Sequence, residues 1–171
     1  MSSSSKGVCN EAYVLDAAAL FASLPLRLHD TCYTTPLVAT EVIDRESRKS
    51  LEYALVSGKL VVTEPPRESI EEVKKAAENI GELSNLSGAD ISVLALAHSL
   101  LSMCSKVVVI TDDKSVQNVA LHLGAQVHGI KRRAIRKPRK ATYICPACGY
   151  KSNKAGTCPI CGHKLHKKLK N

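Results

Sequence analysis

The C-terminal part of this 171-residue chain contains no acidic residue. Residues 131–171 have 13 lysines and arginines and no aspartate or glutamate, which gives this part a formal charge of +13. Residues 1–130 contain all 16 acids and 11 basic residues, a charge of −5, and the two parts sum to +8. An acidic body with a basic tail predicts that an anionic partner is bound by the tail.

Long apolar runs are also missing. No run approaches the ~20 residues of a membrane helix, and Met1–Lys6 leads into no apolar stretch with a cleavage site. We therefore expect no membrane partner, no secretory signal and a cytoplasmic location. Hydrophobic residues still make up 44% of the chain, which is enough for a packed core and excludes wholesale disorder.

Short β-branched runs alternate with helical patterns through most of the chain. This alternation predicts an α/β fold in which a doubly wound parallel sheet is flanked by helices. The capping-box pattern Ser69-x-x-Glu72 places one helix start. The expected strands are Tyr13–Leu15, Leu60–Thr63, Lys106–Thr111 and Gln126–Ile130, and the expected helices are Ala17–Phe21, Leu37–Val56, Ser69–Ile80, Ile91–Met103 and Ser115–Leu123.

The composition changes after Ile130, and it predicts four segments. We expect a disordered N-terminus at 1–10, the α/β domain at 11–131, a basic linker at 132–141, and a small Cys-rich module with a basic tail at 142–171.

Acidic residues follow two of the predicted strands, at the edge where open α/β sheets bind ligands. Asp16 follows the first strand, and Asp112 and Asp113 follow the strand that ends near Ile110. Asp90 lies in the first turn of a helix and Glu41 within an apolar helical stretch. Carboxylates that converge repel one another unless a hard divalent cation such as Mg²⁺ or Mn²⁺ joins them.

Each of these acids also has an ordinary structural interpretation, and spacing alone leaves both open. The alternatives are a capping box of Ser87 with Asp90, a helix cap at Asp113, an i,i+4 pair of Glu41 with Arg45, and a strand-end turn at Asp16.

Four of the seven cysteines form two matched knuckles, Cys145-Pro-Ala-Cys148-Gly and Cys158-Pro-Ile-Cys161-Gly. Four thiolates at this spacing predict one closed, tetrahedral, structural zinc site, with iron as the alternative. Gly149 and Gly162 are expected to allow the tight turns. The remaining cysteines, Cys9, Cys32 and Cys104, are isolated in sequence and are expected to be small buried residues.

Several motifs together resemble a known family. Val14-Leu15-Asp16, Thr40-Glu41, Ala89-Asp90 and Ile110-Thr111-Asp112-Asp113 resemble the PIN-domain nucleases. The run Thr111–Val119, followed by the basic linker and the four-Cys knuckles, is similar to the Nob family, endonucleases that mature the 3′ end of small-subunit ribosomal RNA.

The resemblance implies a PIN-like fold with a C-terminal zinc ribbon and a metal-dependent endoribonuclease activity. It implies that Mg²⁺ or Mn²⁺ is held by Asp16, Glu41, Asp90 and Asp113. Asp113 is chosen over its neighbour because the family motif is Thr, any residue and Asp, and Asp112 is a possible further ligand. The reaction would be in-line hydrolysis that leaves a 5′-phosphate and a 3′-hydroxyl. The partner would be precursor small-subunit rRNA in the pre-ribosomal small subunit. The alternatives are a non-catalytic RNA-binding assembly factor and a toxin-type PIN ribonuclease that acts on other RNA.

The basic segment is expected to bind the RNA backbone, which positions RNA but reads little sequence. Two tyrosines are expected to stack on bases, although only 4% of the residues are aromatic and there is no tryptophan. The predicted RNA-binding residues are Lys131, Arg132, Arg133, Arg136, Lys137, Arg139, Lys140, Tyr143, Tyr150, Lys164, Lys167, Lys168 and Lys170.

Overall fold

A computed structural model describes residues 9–169. Five parallel strands form the main sheet in the order β3-β2-β1-β4-β5, which confirms the predicted α/β class. The strands are β1 Cys9–Leu15, β2 Cys32–Thr34, β3 Leu60–Val62, β4 Cys104–Ile110 and β5 Gln126–His128. In the described part of the chain, no helix is long and apolar enough to cross a membrane.

The strand order reverses between β1 and β4, and this reversal creates the crevice in which α/β sheets bind ligands. Leu15 and Ile110, the last residues of the two strands, are register partners. The residues that follow them, Asp16 and Thr111, therefore leave the sheet side by side.

Within residues 9–169, the α-helices that cover the sheet are α1 Ala17–Phe21, α2 Pro36–Glu41, α3 Arg45–Val56, α4 Arg67–Asn79, α5 Gly88–Leu100 and α6 Lys114–His122. α5 is buried on almost all sides: Val93, Leu94, Ala95, Leu96 and Ala97 are all within the core, and the helix contacts β1, β4, α4 and α6. α1 packs on β1 and contacts α2 and α3.

Two predicted helices differ from the structure, and one strand was not predicted. The helix expected over 37–56 is two helices, because the Asp44 side chain accepts a hydrogen bond from the Ser47 N–H (2.8 Å) and starts a new one. α4 begins at Arg67, so Ser69 is a buried residue inside the helix rather than its cap. Strand β2 was not predicted, since three residues bounded by Thr31 and Thr35 give too short a pattern.

A second, antiparallel sheet follows, in the order β7-β6-β8. Its strands are β6 Ala141–Ile144, β7 Lys151–Ser152 and β8 His166–Leu169. With the two knuckles it forms a small unit at 141–169, called the ribbon below, whose core includes Tyr143, Cys145, Cys158 and Leu165.

The N-terminal cysteine is not isolated. Cys9 and Cys104 form a disulfide bond between the first residues of β1 and β4, which are register partners with Cα atoms 4.5 Å apart. The expectation of separate thiols was wrong because strand register, which sets these residues side by side, is not visible in sequence spacing. Cys32 is a free buried thiol, as expected, and burial raises its pKa to about 11.

The predicted disordered N-terminus falls mainly on residues 1–8, which lie outside the described residues, as does Lys170. Cys9 and Asn10, which fall within the segment expected to be disordered, belong to β1.

Candidate active site and metal centre

Three of the four predicted metal-binding carboxylates lie at helix N-termini beside the carboxyl edge of the sheet. Asp16 caps α1 and accepts from the Ala19 N–H (2.8 Å). Asp90 forms a capping box with Ser87 at the start of α5. Asp113 caps α6 through one oxygen, which accepts from the N–H groups of Ser115 (2.7 Å) and Val116 (3.1 Å). The capping roles are therefore real, and the positive helix ends stabilise the carboxylates that they hold.

Capping and metal binding are compatible at these positions. Within residues 9–169, the hydrogen bonds of Asp90 and Asp113 engage one carboxylate oxygen each. No lysine or arginine of the described chain forms an ion pair with Asp16, Glu41, Asp90 or Asp113. An all-oxygen, unneutralised donor set of this kind fits a hard divalent ion.

A layer of hydroxyl groups, missed at the sequence level, fixes the chain next to these acids. The Thr34 hydroxyl donates to the carbonyl of Leu15, directly before Asp16 (2.9 Å). The Thr111 hydroxyl accepts from the Asp113 N–H (3.0 Å). Thr35 and Ser92 share a buried hydroxyl contact of 2.7 Å that joins the start of α2 to α5. The available sequence signal for this layer was Thr34-Thr35-Pro36 at the end of β2.

Asp16 is a partly buried carboxylate whose neighbours in the cleft include two further acids. Burial raises its pKa, and the charges of Asp112 and Asp90 raise it further, against hydrogen bonds from Thr111 and the Ala19 N–H that lower it. The negative charges of two other acids in the cleft therefore repel the carboxylate of Asp16, and a cation would relieve this repulsion.

The predicted acids do not all converge. Glu41 is the exposed last residue of α2. Among residues 9–169, only the four knuckle cysteines bring three or more candidate ligand atoms within 4.8 Å of one another. The side-chain positions thus place Asp16, Asp90 and Asp113 at one edge of the sheet without closing an ion site.

Asp112 has a different role from Asp113. Its carboxylate accepts from the N–H groups of Ile130 (2.8 Å), Lys131 (3.0 Å) and Arg132 (3.2 Å). Partial burial, which raises the pKa of Asp112, is outweighed by these N–H groups, so the pKa lies below its ordinary value. Asp112 anchors the first residues of the basic linker.

The knuckle cysteines form a compact four-sulfur cluster. The Sγ atom of Cys161 is 3.3 Å from that of Cys145 and 3.5 Å from that of Cys148, which is 3.5 Å from that of Cys158. A tetrahedral ion with metal–sulfur bonds of about 2.3 Å would require sulfur separations of about 3.8 Å. The cluster therefore fits a closed structural metal site and is too open for disulfides.

The knuckle backbone supports thiolates. Gly149 and Gly162 both have φ of +74°, the left-handed conformation that the tight turns need. The pKa of Cys145 is lowered to about 6, chiefly because the Cys148 N–H donates to its sulfur. The His163 N–H lowers the pKa of Cys161, but contacts with the other thiols of the cluster raise it to about 12. Metal ligation requires deprotonated thiols, so an ion that binds here would release protons from the cluster.

The basic linker is held along its length by α6. Lys114 Nζ donates to the carbonyl of Arg133 (2.6 Å), and the Ile135 N–H donates to Gln117 Oε1 (3.0 Å). The Arg139 N–H donates to Asn118 Oδ1 (2.6 Å). The backbone is fixed, while the predicted RNA-binding cations of 131–140 all remain exposed.

Five of these cations line an open groove of about 840 Å³ that has no acidic residue in its lining. Lys114 is a further cation there that sequence reasoning did not single out. The basic residues of the groove are Lys114, Arg133, Arg136, Lys137, Arg139 and Lys140.

Two predicted RNA contacts are used inside the protein. Tyr143 is only 3% exposed, and its hydroxyl donates to the carbonyl of Gly81 (2.8 Å), so it cannot stack on a base. Lys167 forms an ion pair with the buried Glu82 (2.7 Å). Both predictions were wrong because the ribbon packs on the α/β domain. Tyr150 is partly buried, and Lys164 and Lys168 are exposed.

Comparison with known proteins agrees with this geometry. The family model described as "PIN domain of ribonuclease" matches residues 13–100. The chain is 45% identical to "Endoribonuclease Nob1" of Pyrococcus abyssi over 138 residues, 81% of this chain and 80% of the relative. It is 40% identical to "Ribonuclease VapC3" of Aeropyrum pernix over 72% of this chain and 88% of the relative. It is also 35% identical to "20S-pre-rRNA D-site endonuclease NOB1" of Saccharomyces cerevisiae over 52% of this chain, which spans 20% of that relative.

Proposed function

Because the chain belongs to the family of PIN-domain endoribonucleases that includes the Nob1 proteins, we propose that it cleaves precursor small-subunit rRNA near its 3′ end. The substrate assignment rests on the relatives, one of which is named for the 20S pre-rRNA that it cuts. The reaction is hydrolysis of a phosphodiester that leaves a 5′-phosphate and a 3′-hydroxyl.

We infer that Asp16, Glu41, Asp90 and Asp113 hold Mg²⁺ or Mn²⁺. The observation that carries this is the placement of Asp16, Asp90 and Asp113 along one edge of the sheet, beside the strand-order reversal, with no lysine or arginine paired to them in the described chain. A divalent ion there would supply the Lewis-acid chemistry of phosphodiester hydrolysis. The caps orient the carboxylates, and the hydroxyls of Thr34 and Thr111 hold the backbone beside Asp16 and Asp113.

Asp112 is left out of the ligand set because its oxygens already accept the N–H groups of the linker. It acts instead by joining the catalytic edge to the start of the basic segment.

We propose that the four cysteines hold one zinc ion, with a structural role. Residues 11–131 then form the cutting domain, residues 132–141 a basic connection, and residues 142–171 a zinc ribbon with its tail. A module of about 30 residues has too small a core to fold without further stabilisation, and metal binding would supply folding free energy on the order of 10 kcal/mol.

The exposed cations of the linker and of the ribbon are proposed to bind the RNA backbone. The groove cations start at Lys114, the residue after Asp113, so RNA that follows the groove reaches the proposed catalytic edge. Tyr150, Lys164 and Lys168 complete this surface on the ribbon, whereas Tyr143 and Lys167 are excluded by their internal contacts.

The test is cleavage of an RNA that spans the 3′ end of small-subunit rRNA, with purified protein and Mn²⁺ or Mg²⁺. Wild-type protein should cut it at one position, and Asp113→Asn should not, although asparagine keeps the α6 cap. Equal rates for the two proteins would refute the site. An unrelated structured RNA of equal length is the control, because a ribonuclease with a different target, the second candidate raised by the similarity to VapC3, would show no preference for the precursor over this control.

A further inference from the structure

Glu82 is a buried carboxylate in the junction between the α/β domain and the ribbon. It lies directly before a 3₁₀ turn, Leu83–Asn85, and is 1% exposed. A charged group in such a position is costly unless it is paired and hydrogen bonded. The proposed catalytic chemistry does not use Glu82, so the presence of a buried carboxylate at this position needs another explanation.

The partners of Glu82 come from three different parts of the molecule. Oε2 accepts from Lys167 Nζ on β8 (2.7 Å) and from Asn85 Nδ2 on the turn (3.1 Å). Oε1 accepts from Asn118 Nδ2 on α6 (3.0 Å). One side chain therefore joins the ribbon, the α/β domain and the helix that Asp113 caps.

Asn118 extends this network to the linker. Its Nδ2 also donates to the carbonyl of Arg139 (2.7 Å), and its Oδ1 accepts from the Arg139 N–H. The backbone of Arg139 is thus fixed, while its guanidinium remains exposed to the groove.

The surrounding junction is tightly fitted. The Ala141 N–H donates to the carbonyl of Ile80 (2.9 Å). Gly81 has φ of +74°, and a Cβ there would lie 2.6 Å from the carbonyl oxygen of Asn153. The ribbon backbone therefore approaches the α/β domain at a glycine, and the junction has one well-defined arrangement.

Buried ion pairs contribute little net stability compared with apolar residues, and their best-documented use is to select one register among alternatives. An apolar junction would tolerate sliding or rotation of the ribbon, whereas a carboxylate with three directed donors does not. The network connects the surface that we propose to bind RNA with the edge that we propose to cut it.

We propose that Glu82 is a positioning residue, which acts through Lys167 and Asn118. It fixes the offset, which is the distance and orientation of the RNA-binding ribbon relative to the catalytic edge. It thereby determines which phosphodiester is cleaved. This inference rests on the proposed function, since it assumes that the ribbon and linker hold the RNA that the α/β domain cuts.

The chain offers a matched control. Lys154 on the ribbon pairs with Glu78 at the end of α4, but this pair is exposed, with side-chain accessibilities of 70% and 46%, against 28% and 2% for Lys167 and Glu82. Lys167→Met and Lys154→Met each remove one positive charge and one ion pair between the same two parts. Only the first disturbs the buried network.

The experiment maps the ends produced from precursor rRNA, and it measures the cleavage rate of a short unstructured RNA that needs no ribbon contact. Lys167→Met should raise the fraction of cuts at neighbouring phosphodiesters by about tenfold or more, equivalent to ~1.4 kcal/mol of lost preference. Its rate on the short RNA should match wild type. Lys154→Met should cut at the wild-type position, and Lys167→Arg should restore it.

The proposal is overturned if Lys167→Met cuts precursor at the wild-type position alone. It is equally overturned if Lys167→Met loses activity on the short RNA, because the network then supports the catalytic fold rather than the offset. Wild-type protein that cuts the short RNA but shows no preferred position on the precursor contradicts the proposed substrate instead.

Discussion

Replacing Asp16 by asparagine should strongly lower the cleavage activity and stabilise the metal-free protein. The side chain is a helix cap as well as a proposed metal ligand, since it accepts from the Ala19 N–H at 2.8 Å. Asparagine caps helices about as well as aspartate, whereas alanine loses about 0.5–2 kcal/mol. Asp16→Asn therefore removes the charge and keeps the cap, and Asp16→Ala removes both.

The direction of the stability change follows from the raised pKa of Asp16. Burial, and then the charges of Asp112 and Asp90, favour the protonated form in the folded protein. The folded state therefore binds this proton more tightly than the unfolded state, and wild-type stability falls as pH rises from the unfolded pKa through the folded pKa. Asparagine does not titrate, so its advantage should be absent at acidic pH and present at neutral pH.

Thermal unfolding without divalent metal measures this effect. At pH 7 the Tm of Asp16→Asn should be higher than that of wild type. Asp16→Ala should be less stable than Asp16→Asn by about 1 kcal/mol, which corresponds to a Tm lower by roughly 2–4 °C for a chain of this size. Addition of Mn²⁺ at 100 times its Kd should stabilise wild type by about 2.7 kcal/mol and Asp16→Asn by less.

The cleavage activity of Asp16→Asn should fall, although the metal-free protein becomes more stable. If the ligand contributes several kcal/mol of transition-state stabilisation, cleavage by Asp16→Asn should fall roughly 10²–10³-fold. A metal-free Asp16→Asn that is less stable than wild type at pH 7 would refute the electrostatic reasoning, and one that cuts at the wild-type rate would refute the ligand assignment.

Three further predictions concern other parts of the molecule. Metal analysis should find one zinc per chain, and Cys158→Ser should lose it and unfold the ribbon, seen as fast exchange of the Ala141 N–H; iron or no metal in wild type would contradict this. RNA affinity should fall as the salt concentration rises. In a plot of log affinity against log salt concentration, the double variant Arg136→Gln, Lys137→Gln should reduce the steepness by about 0.7 for each phosphate that it no longer neutralises. An unchanged slope would exclude the groove as the binding surface. Cys104→Ala removes the disulfide bond and should lower the free energy of unfolding by at most about 4.7 kcal/mol. This is the value for a loop of about 100 residues, and Cys9 and Cys104 are 95 residues apart. Equal stability of oxidised wild type and Cys104→Ala would show that the bond does not constrain the unfolded chain.

Local sequence signals predicted much of the fold. The β-branched run at the end of β4 and the apolar body of α5 were recognisable because both elements are buried along most of their length. The matched knuckles predicted the four-sulfur cluster because each Cys-x-x-Cys pair holds two thiols close together in a tight local turn. Strand β2 was too short to show a pattern, and the break between α2 and α3 depends on one cap at Asp44.

Features that depend on tertiary contacts were not predictable. A tyrosine and a lysine in a basic tail look available to RNA, and only the packing of the ribbon shows that Tyr143 and Lys167 are used internally. Glu82 gave no signal, since its three donors lie at distant positions in the chain. Among the acids, the caps at Asp90 and Asp113 were foreseen as alternatives to metal binding, and the structure shows that a cap leaves one oxygen of each without a hydrogen bond in the described chain.

The most direct test of the proposed metal-dependent cleavage is to map the end that purified protein produces on precursor small-subunit rRNA, in Mn²⁺ and after chelation. We expect a single cut near the mature 3′ end, with a 3′-hydroxyl on the upstream product, in Mn²⁺ and no cut after chelation. Cleavage that persists without divalent metal, or that leaves a 2′,3′-cyclic phosphate, would contradict the central claim that these carboxylates work by holding a metal ion.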